Sequence, residues 1–124
     1  ALGYAFQIRD DILGVWGTED ITGKPVGADI RRKKKSLPIV HAMGCDSGKY
    51  ANQLKEIYSN ADISDAAVDQ VLEIMKTLKT REYAEGLTEK YLQSALISFK
   101  ESKVNKLFQD DFQELIEFLA TRNY

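Results

Sequence analysis

Apolar residues recur at helical spacing over most of the chain, and the strict alternation that marks half-buried strands is nearly absent. Residues 1–16, ALGYAFQIRDDILGVW, read as one helix that is apolar around most of its circumference, and therefore as a buried helix. The stretch 17–35, GTEDITGKPVGADIRRKKK, breaks the pattern and reads as a long loop with room for a helical turn. Loops of that length inside a compact domain are uncommon and tend to be functional. Ser36 is placed to cap a short apolar helix, LPIVHAM, with Pro38 in its first turn. Gly44 and Gly48 bracket the next break, and a helix from about residue 49 to 59 follows. Asp62 or Ser64 then caps a helix on which Val68, Val71, Leu72, Met75 and Leu78 share one face. A longer helix over 81–101 is expected to bury Tyr83, Leu87, Tyr91, Leu92, Leu96 and Phe99. The last, over about 105–121, is expected to bury Phe108, Phe112, Leu115, Ile116 and Leu119. The pattern predicts an all-α helical bundle forming a single unit over 1–124, with no internal repeat, low-complexity tract or linker.

Composition narrows the class without naming a function. The chain has 124 residues, 44% hydrophobic and 29% charged, which suits one soluble domain with a real core. A net charge of −2 does not favour a nucleic-acid partner. One cysteine, Cys45, excludes an internal disulfide and fits a reducing, cytoplasmic compartment. No apolar run is long enough to span a bilayer. The first residues already belong to a patterned segment, with no polar lead-in, as in the middle of something longer.

The first helix carries the candidate chemistry. At about 100° per residue, with Gln7 at zero, Asp11 falls near about 40° and Gly14 near about 340°. Gly3 and Asp10 follow at about 320° and about 300°. These five residues form one stripe on a helix whose remaining positions are apolar apart from Arg9. Buried charge must be paired, so the stripe should face cations, a metal or a wet cavity. Each glycine costs roughly 1 kcal/mol relative to alanine inside a helix, and Gly3 and Gly14 would clear space on either side of the carboxylates. Close helix packing, with the aspartates paired to Arg9 or another cation, explains the same residues.

The loop that follows supplies positive charge. Lys24 sits between Gly23 and Pro25, Asp29 comes five residues later, and Lys34 a further five on. Lysines on a glycine-containing loop suit phosphate as compact point charges, and Asp29 could orient a lysine or take a metal's water. Carboxylates that hold a metal, with lysines opposite, suggest a phosphate bridged by Mg²⁺. As a bare run, RRKKK reads as a solvated surface or a weak nucleic-acid patch, and Arg31, Arg32, Lys33 and Lys35 are taken as solvent charge.

The run Phe6-Gln7-Ile8-Arg9-Asp10-Asp11-Ile12-Leu13 resembles the second aspartate-rich motif, FQxxDDxLD, of the trans-type isoprenyl diphosphate synthases. Gly23-Lys24, Asp29, Lys34 and Ser36-Leu37-Pro38 resemble the loop that follows that motif. The resemblance implies an all-α isoprenoid-synthase fold and prenyl transfer. In that reaction an allylic diphosphate ionises with the help of Mg²⁺ and is condensed with isopentenyl diphosphate. It further implies a homodimer as the full-length enzyme. By position, Asp10 would be the Mg²⁺ ligand, with Asp11 acting through metal-bound water or as a supporting ligand. Gln7 would sit beside the reacting carbons and Phe6 near the pocket wall. Lys24 and Lys34 would hold the allylic diphosphate, with Asp29 as a metal-water or lysine partner.

Two departures stand out. Gly14 occupies the place of the motif's third aspartate, where it would leave room for ligand. The family's first motif, DDxxD, does not occur in these residues; the other adjacent pair, Asp110-Asp111, lies on an amphipathic helix and is expected to face solvent. The chain therefore reads as the C-terminal portion of such an enzyme, inactive in isolation. The rival readings are a non-catalytic synthase-like helical subunit and, through RRKKK, a nucleic-acid binder. His41 is expected to be structural, and Cys45 to lack a partner that would activate it.

Overall fold

The structure, a computed structural model, describes residues 2–45, 48–101 and 106–121, with the side chains of the last helix described from 110 to 120. Every regular element among them is helical. In chain order these are α1 (Leu2–Trp16), α2 (Glu19–Thr22), α3 (Ala28–Arg31), α4 (Leu37–Gly44), α5 (Lys49–Ser59), α6 (Asp65–Thr77), α7 (Thr80–Glu101) and α8 (Lys106–Thr121). Helix α1 is the centre of the bundle: it lies along α7 and also meets α3 and α4. One core gathers Val15, Ile30, Ile39, Leu54, Val71 and Met75 where α3 to α6 close on the end of α1. A second joins Ala5 to Leu92, Ile116 and Leu119, and a third joins Ile8 and Ile12 to Ala84.

Helix α1 is not buried all round. Its buried arc is Ala5, Ile8, Asp11, Ile12 and Val15, whereas Tyr4 is 62% and Phe6 44% exposed, and Gln7 and Asp10 face outward. Helix α7 departs from expectation in a more informative way. It buries Thr80, Ala84, Thr88, Leu92 and Ala95. Of the large residues expected there, Tyr83 is exposed, and Leu87, Tyr91, Leu96 and Phe99 are only half-buried. Against α1, Ala84 meets Ile8 and Ile12 and Leu92 meets Ala5, with the half-buried Leu87 and Tyr91 beside them. The Thr88 hydroxyl donates to the Ala84 carbonyl at 2.9 Å, so its burial leaves no polar atom unpaired.

The expected cap at Ser64 forms, its hydroxyl accepting from the Ala67 N–H at 3.1 Å. Ser36 has the extended backbone of an N-cap, but its side chain makes no capping bond. On α8, Ile116 and Leu119 are buried and Phe112 half-buried, but Leu115 is exposed; the side chain of Phe108 lies outside the described residues. Asp110 and Asp111 are exposed, as expected. Arg9 reaches across to α8. Its guanidinium donates to the carbonyls of Leu119 at 2.5 Å and Ala120 at 3.0 Å, where a cation meets the negative end of α8. No helix among the described residues is long and apolar enough to cross a membrane.

Candidate functional site

Successive helical residues point about 100° apart, so two adjacent aspartates cannot share one environment. Asp11 lies at the rim of the buried arc of α1 and is 7% exposed. Its Oδ2 accepts the Leu37 N–H at 2.9 Å, and its Oδ1 lies 3.3 Å from the Lys34 ammonium. Asp10 points away from that arc with a side chain 78% exposed, its Oδ2 4.0 Å from the same ammonium. The expectation of a buried pair therefore holds for Asp11 and fails for Asp10.

The loop is fastened to α1 at one glycine. The Gly27 N–H donates to the Val15 carbonyl at 3.0 Å, and Gly27 adopts the left-handed backbone (φ 82°). The α3 turn that follows aims Asp29 back at α1. A Cβ on Gly14 would stand 1.9 Å from the Asp29 Oδ2, so the space that glycine clears is filled by the Asp29 carboxylate. This corrects the expectation of open room at Gly14; of the two glycines on the stripe, Gly3 is the one that faces open space. Asp29 is buried, accepts from the Arg32 guanidinium at 2.5 Å, and lies 3.6 Å from the Lys34 ammonium. Lys33, left-handed at φ 57°, turns the chain between α3 and Lys34.

Three carboxylates thus converge on one ammonium. Burial disfavours the charged form of Lys34, but Asp29, Asp11 and Asp10 outweigh it and raise its pKa above the ordinary lysine value. The field of Asp29 reaches α5 as well, where burial and then that charge push Tyr58 up to about 12. Beside the cluster lies a cavity of about 330 Å³ lined on its polar side by Asp10, Asp29, Thr22, Lys24, Arg32 and Lys34. The Lys24 N–H donates to the Thr22 hydroxyl at 3.1 Å, which fixes the turn that carries the lysine.

Of the seven candidates, Asp10, Lys24, Asp29 and Lys34 line this cavity, and Asp11 reaches Lys34 from behind. Gln7 and Phe6 do not line it; they stand on the exposed side of α1, toward its start. Sequence reasoning missed Arg32, whose i,i+3 spacing to Asp29 was the available signal. The basic run is not simply solvent charge. Arg31 pairs with Asp65 at 2.5 Å, Arg32 with Asp29, and the Lys33 ammonium donates to the Asn60 carbonyl. Cys45 also has a neighbour: its Sγ lies 3.1 Å from the His41 Nε2, and the His41 Nδ1 lies 3.1 Å from the Thr80 hydroxyl. Burial lowers the His41 pKa, so the ring stays neutral and supplies no positive charge to activate the thiol.

No group of three or more potential metal ligands gathers among the described residues. The exposed Asp10 carboxylate at the cavity is nonetheless an oxygen donor of the kind that Mg²⁺, which keeps several waters, would take. Lys24, Arg32 and Lys34 against Asp10 and Asp29 give the cavity lining a formal charge of 3 − 2 = +1. That is too little to neutralise a diphosphate, so a divalent cation held at the exposed Asp10 would complete the balance.

The helical bundle is similar in fold to solved structures. The polyprenyl synthetase of Streptomyces coelicolor superposes with a TM-score of 0.85 at 27% identity, over 95% of this chain and 37% of that one. Geranylgeranyl pyrophosphate synthase of Corynebacterium glutamicum, solved with isoprenyl diphosphate and magnesium, superposes with a TM-score of 0.84 at 26% identity, covering 98% and 35%. The sequence profile described as polyprenyl synthetase matches residues 1–75, and the chain belongs to that family. Among curated relatives, geranylgeranyl diphosphate synthase of Mycobacterium tuberculosis is 32% identical over 102 residues, 82% of this chain. The chain spans 29% of the length of that relative.

Proposed function

We propose that this chain is the C-terminal portion of an isoprenyl diphosphate synthase, which condenses an allylic diphosphate with isopentenyl diphosphate. The observation that carries the reading is the convergence of Asp10, Asp11 and Asp29 on Lys34 at a cavity that Lys24 also lines. Lys24 and Lys34 hold the diphosphate oxygens of the allylic substrate. Lys34 is a cation there, its pKa raised further by the carboxylates around it. Arg32, anchored on Asp29, adds a third positive charge to the cavity wall. Asp10 holds Mg²⁺ in this reading, which its exposed carboxylate at the border of the cavity supports. When bound, Mg²⁺ supplies Lewis-acid stabilisation of the leaving diphosphate. In this reading the exposed Phe6 lies near the pocket wall and Gln7 beside the reacting carbons.

The complete protein acts in this reading as a cytoplasmic homodimer, and the 124 residues alone are inactive because the family's other aspartate-rich motif is not among them. The test is Asp10→Ala in the complete protein carrying this sequence. Prenyl transfer should fall on the order of a hundredfold or more, as expected where a metal contributes several kcal/mol, with the fold intact. Near-normal turnover would overturn the assignment.

A further inference from the structure

We infer that Asp11 is a positioning residue: it pins Lys34 and the start of α4 to α1, and acts on the diphosphate through Lys34 without ligating the metal. The inference rests on the diphosphate site proposed above and assigns its two adjacent aspartates separate tasks. The first amides of a helix have no partner within it and need an acceptor from outside. At α4 the residue in the N-cap position, Ser36, makes no side-chain bond to them. The acceptor for the Leu37 N–H is the Asp11 Oδ2, at 2.9 Å and from 26 residues away. A carboxylate there also meets the positive end of the helix dipole. The other oxygen, Oδ1, lies 3.3 Å from Lys34. Lys34 and Leu37 are separated by only Lys35 and the buried Ser36, so one carboxylate fastens both ends of this segment to α1.

Asp11 is 7% exposed and does not line the cavity, whereas the Asp10 carboxylate does. Both oxygens of Asp11 are thus engaged by groups of this chain. Removing Asp11 should therefore disturb the segment 34–37 and the ammonium it carries, and leave the metal's own carboxylate in place.

Two measurements on the complete protein carrying this sequence test this. The first is hydrogen exchange of the Leu37 amide. Asp11→Asn keeps an acceptor for that amide and should retain its protection, whereas Asp11→Ala should speed its exchange at least tenfold. The second is binding of inorganic pyrophosphate titrated with Mg²⁺. Asp11→Asn should leave the Mg²⁺ concentration at half-maximal binding within threefold of the wild type, and Asp10→Asn should raise it tenfold or more. Loss of pyrophosphate affinity in Asp11→Ala should vanish in a Lys34→Ala background, a non-additivity that a general loss of stability would not produce. A Mg²⁺ midpoint in Asp11→Asn shifted as far as in Asp10→Asn would show Asp11 to be a ligand and overturn the inference. So would additive effects of Asp11→Ala and Lys34→Ala, or unaltered Leu37 exchange in Asp11→Ala. If Asp11→Ala does not fold, the Mg²⁺ midpoint of Asp11→Asn still decides. Wild-type protein that binds no pyrophosphate at any Mg²⁺ concentration overturns the functional reading instead, and Leu37 exchange then decides the pin on its own.

Discussion

Replacing Gly14 with alanine should destabilise the protein, although alanine is the better helix former. In an ordinary helix interior the change gains about 1 kcal/mol. Here the new Cβ would stand 1.9 Å from Asp29 Oδ2, 2.3 Å from its Cγ and 2.9 Å from its Oδ1, so the carboxylate must leave. Breaking a buried pair costs about 3–5 kcal/mol, and overpacking alone costs about 1–3 kcal/mol. The partners Arg32 and Lys34 have side chains 60% and 43% exposed, and solvent screening reduces the first figure. A cost of about 2–4 kcal/mol less the helix gain leaves a net loss of about 1–3 kcal/mol. Gly86 is the control, since a Cβ there meets nothing within 4 Å on an exposed part of α7. Urea unfolding should show Gly86→Ala more stable than the parent by up to about 1 kcal/mol and Gly14→Ala less stable. Adding Asp29→Ala should remove most of the penalty specific to Gly14→Ala, a coupling read from the double-mutant cycle. A Gly14→Ala protein as stable as the Gly86→Ala protein would refute the packing of Asp29 against α1.

Ser64→Ala should lose about 1 kcal/mol of stability in the same assay, as expected for loss of an N-cap; Ser36→Ala should show no capping loss, since Asp11 serves α4. Ala84→Leu should cost about 1–3 kcal/mol by forcing α7 away from α1, measured as a lower urea midpoint. Burial lowers the His41 pKa below its unfolded value of about 6.5, so the unfolded chain binds the proton more readily. Stability from this group is complete above about pH 6.5 and is lost as pH falls toward the folded pKa. His41→Asn should flatten that acid limb between unfolding curves at about pH 7.5 and about pH 5.5.

The six longer helices were legible in the sequence because their apolar spacing is strong, and the break between Gly44 and Gly48 fell where α4 and α5 separate. The stretch read as a loop with room for one helical turn holds two, α2 and α3. The face of α7 was not legible. Thr80, Ala84 and Thr88 are buried, whereas hydropathy patterns give weight to large residues such as Tyr83, which is exposed. For the site, the Asp10-Asp11 pair and the lysine spacing pointed to residues that the fold does bring together around one cavity. What spacing alone left open was which neighbour each charge would meet. Arg9 turned to the end of α8, Arg32 to Asp29, and Asp11 to the first amide of the helix that Ser36 was expected to cap. Those choices depend on contacts made across the bundle, as between α1 and the start of α4. The space at Gly14 is the sharpest case, because a missing side chain in sequence became a packed carboxylate in the fold.

The central claim is that Asp10 holds a divalent cation on a diphosphate bound by Lys24 and Lys34. It is tested most directly by crystallising the complete protein with Mn²⁺ and pyrophosphate and locating the metal by its anomalous scattering. The account requires a peak within coordination distance of the Asp10 carboxylate, with pyrophosphate oxygens between it and the two lysine ammonium groups. A metal–pyrophosphate complex bound elsewhere, with Asp10 free, would contradict it.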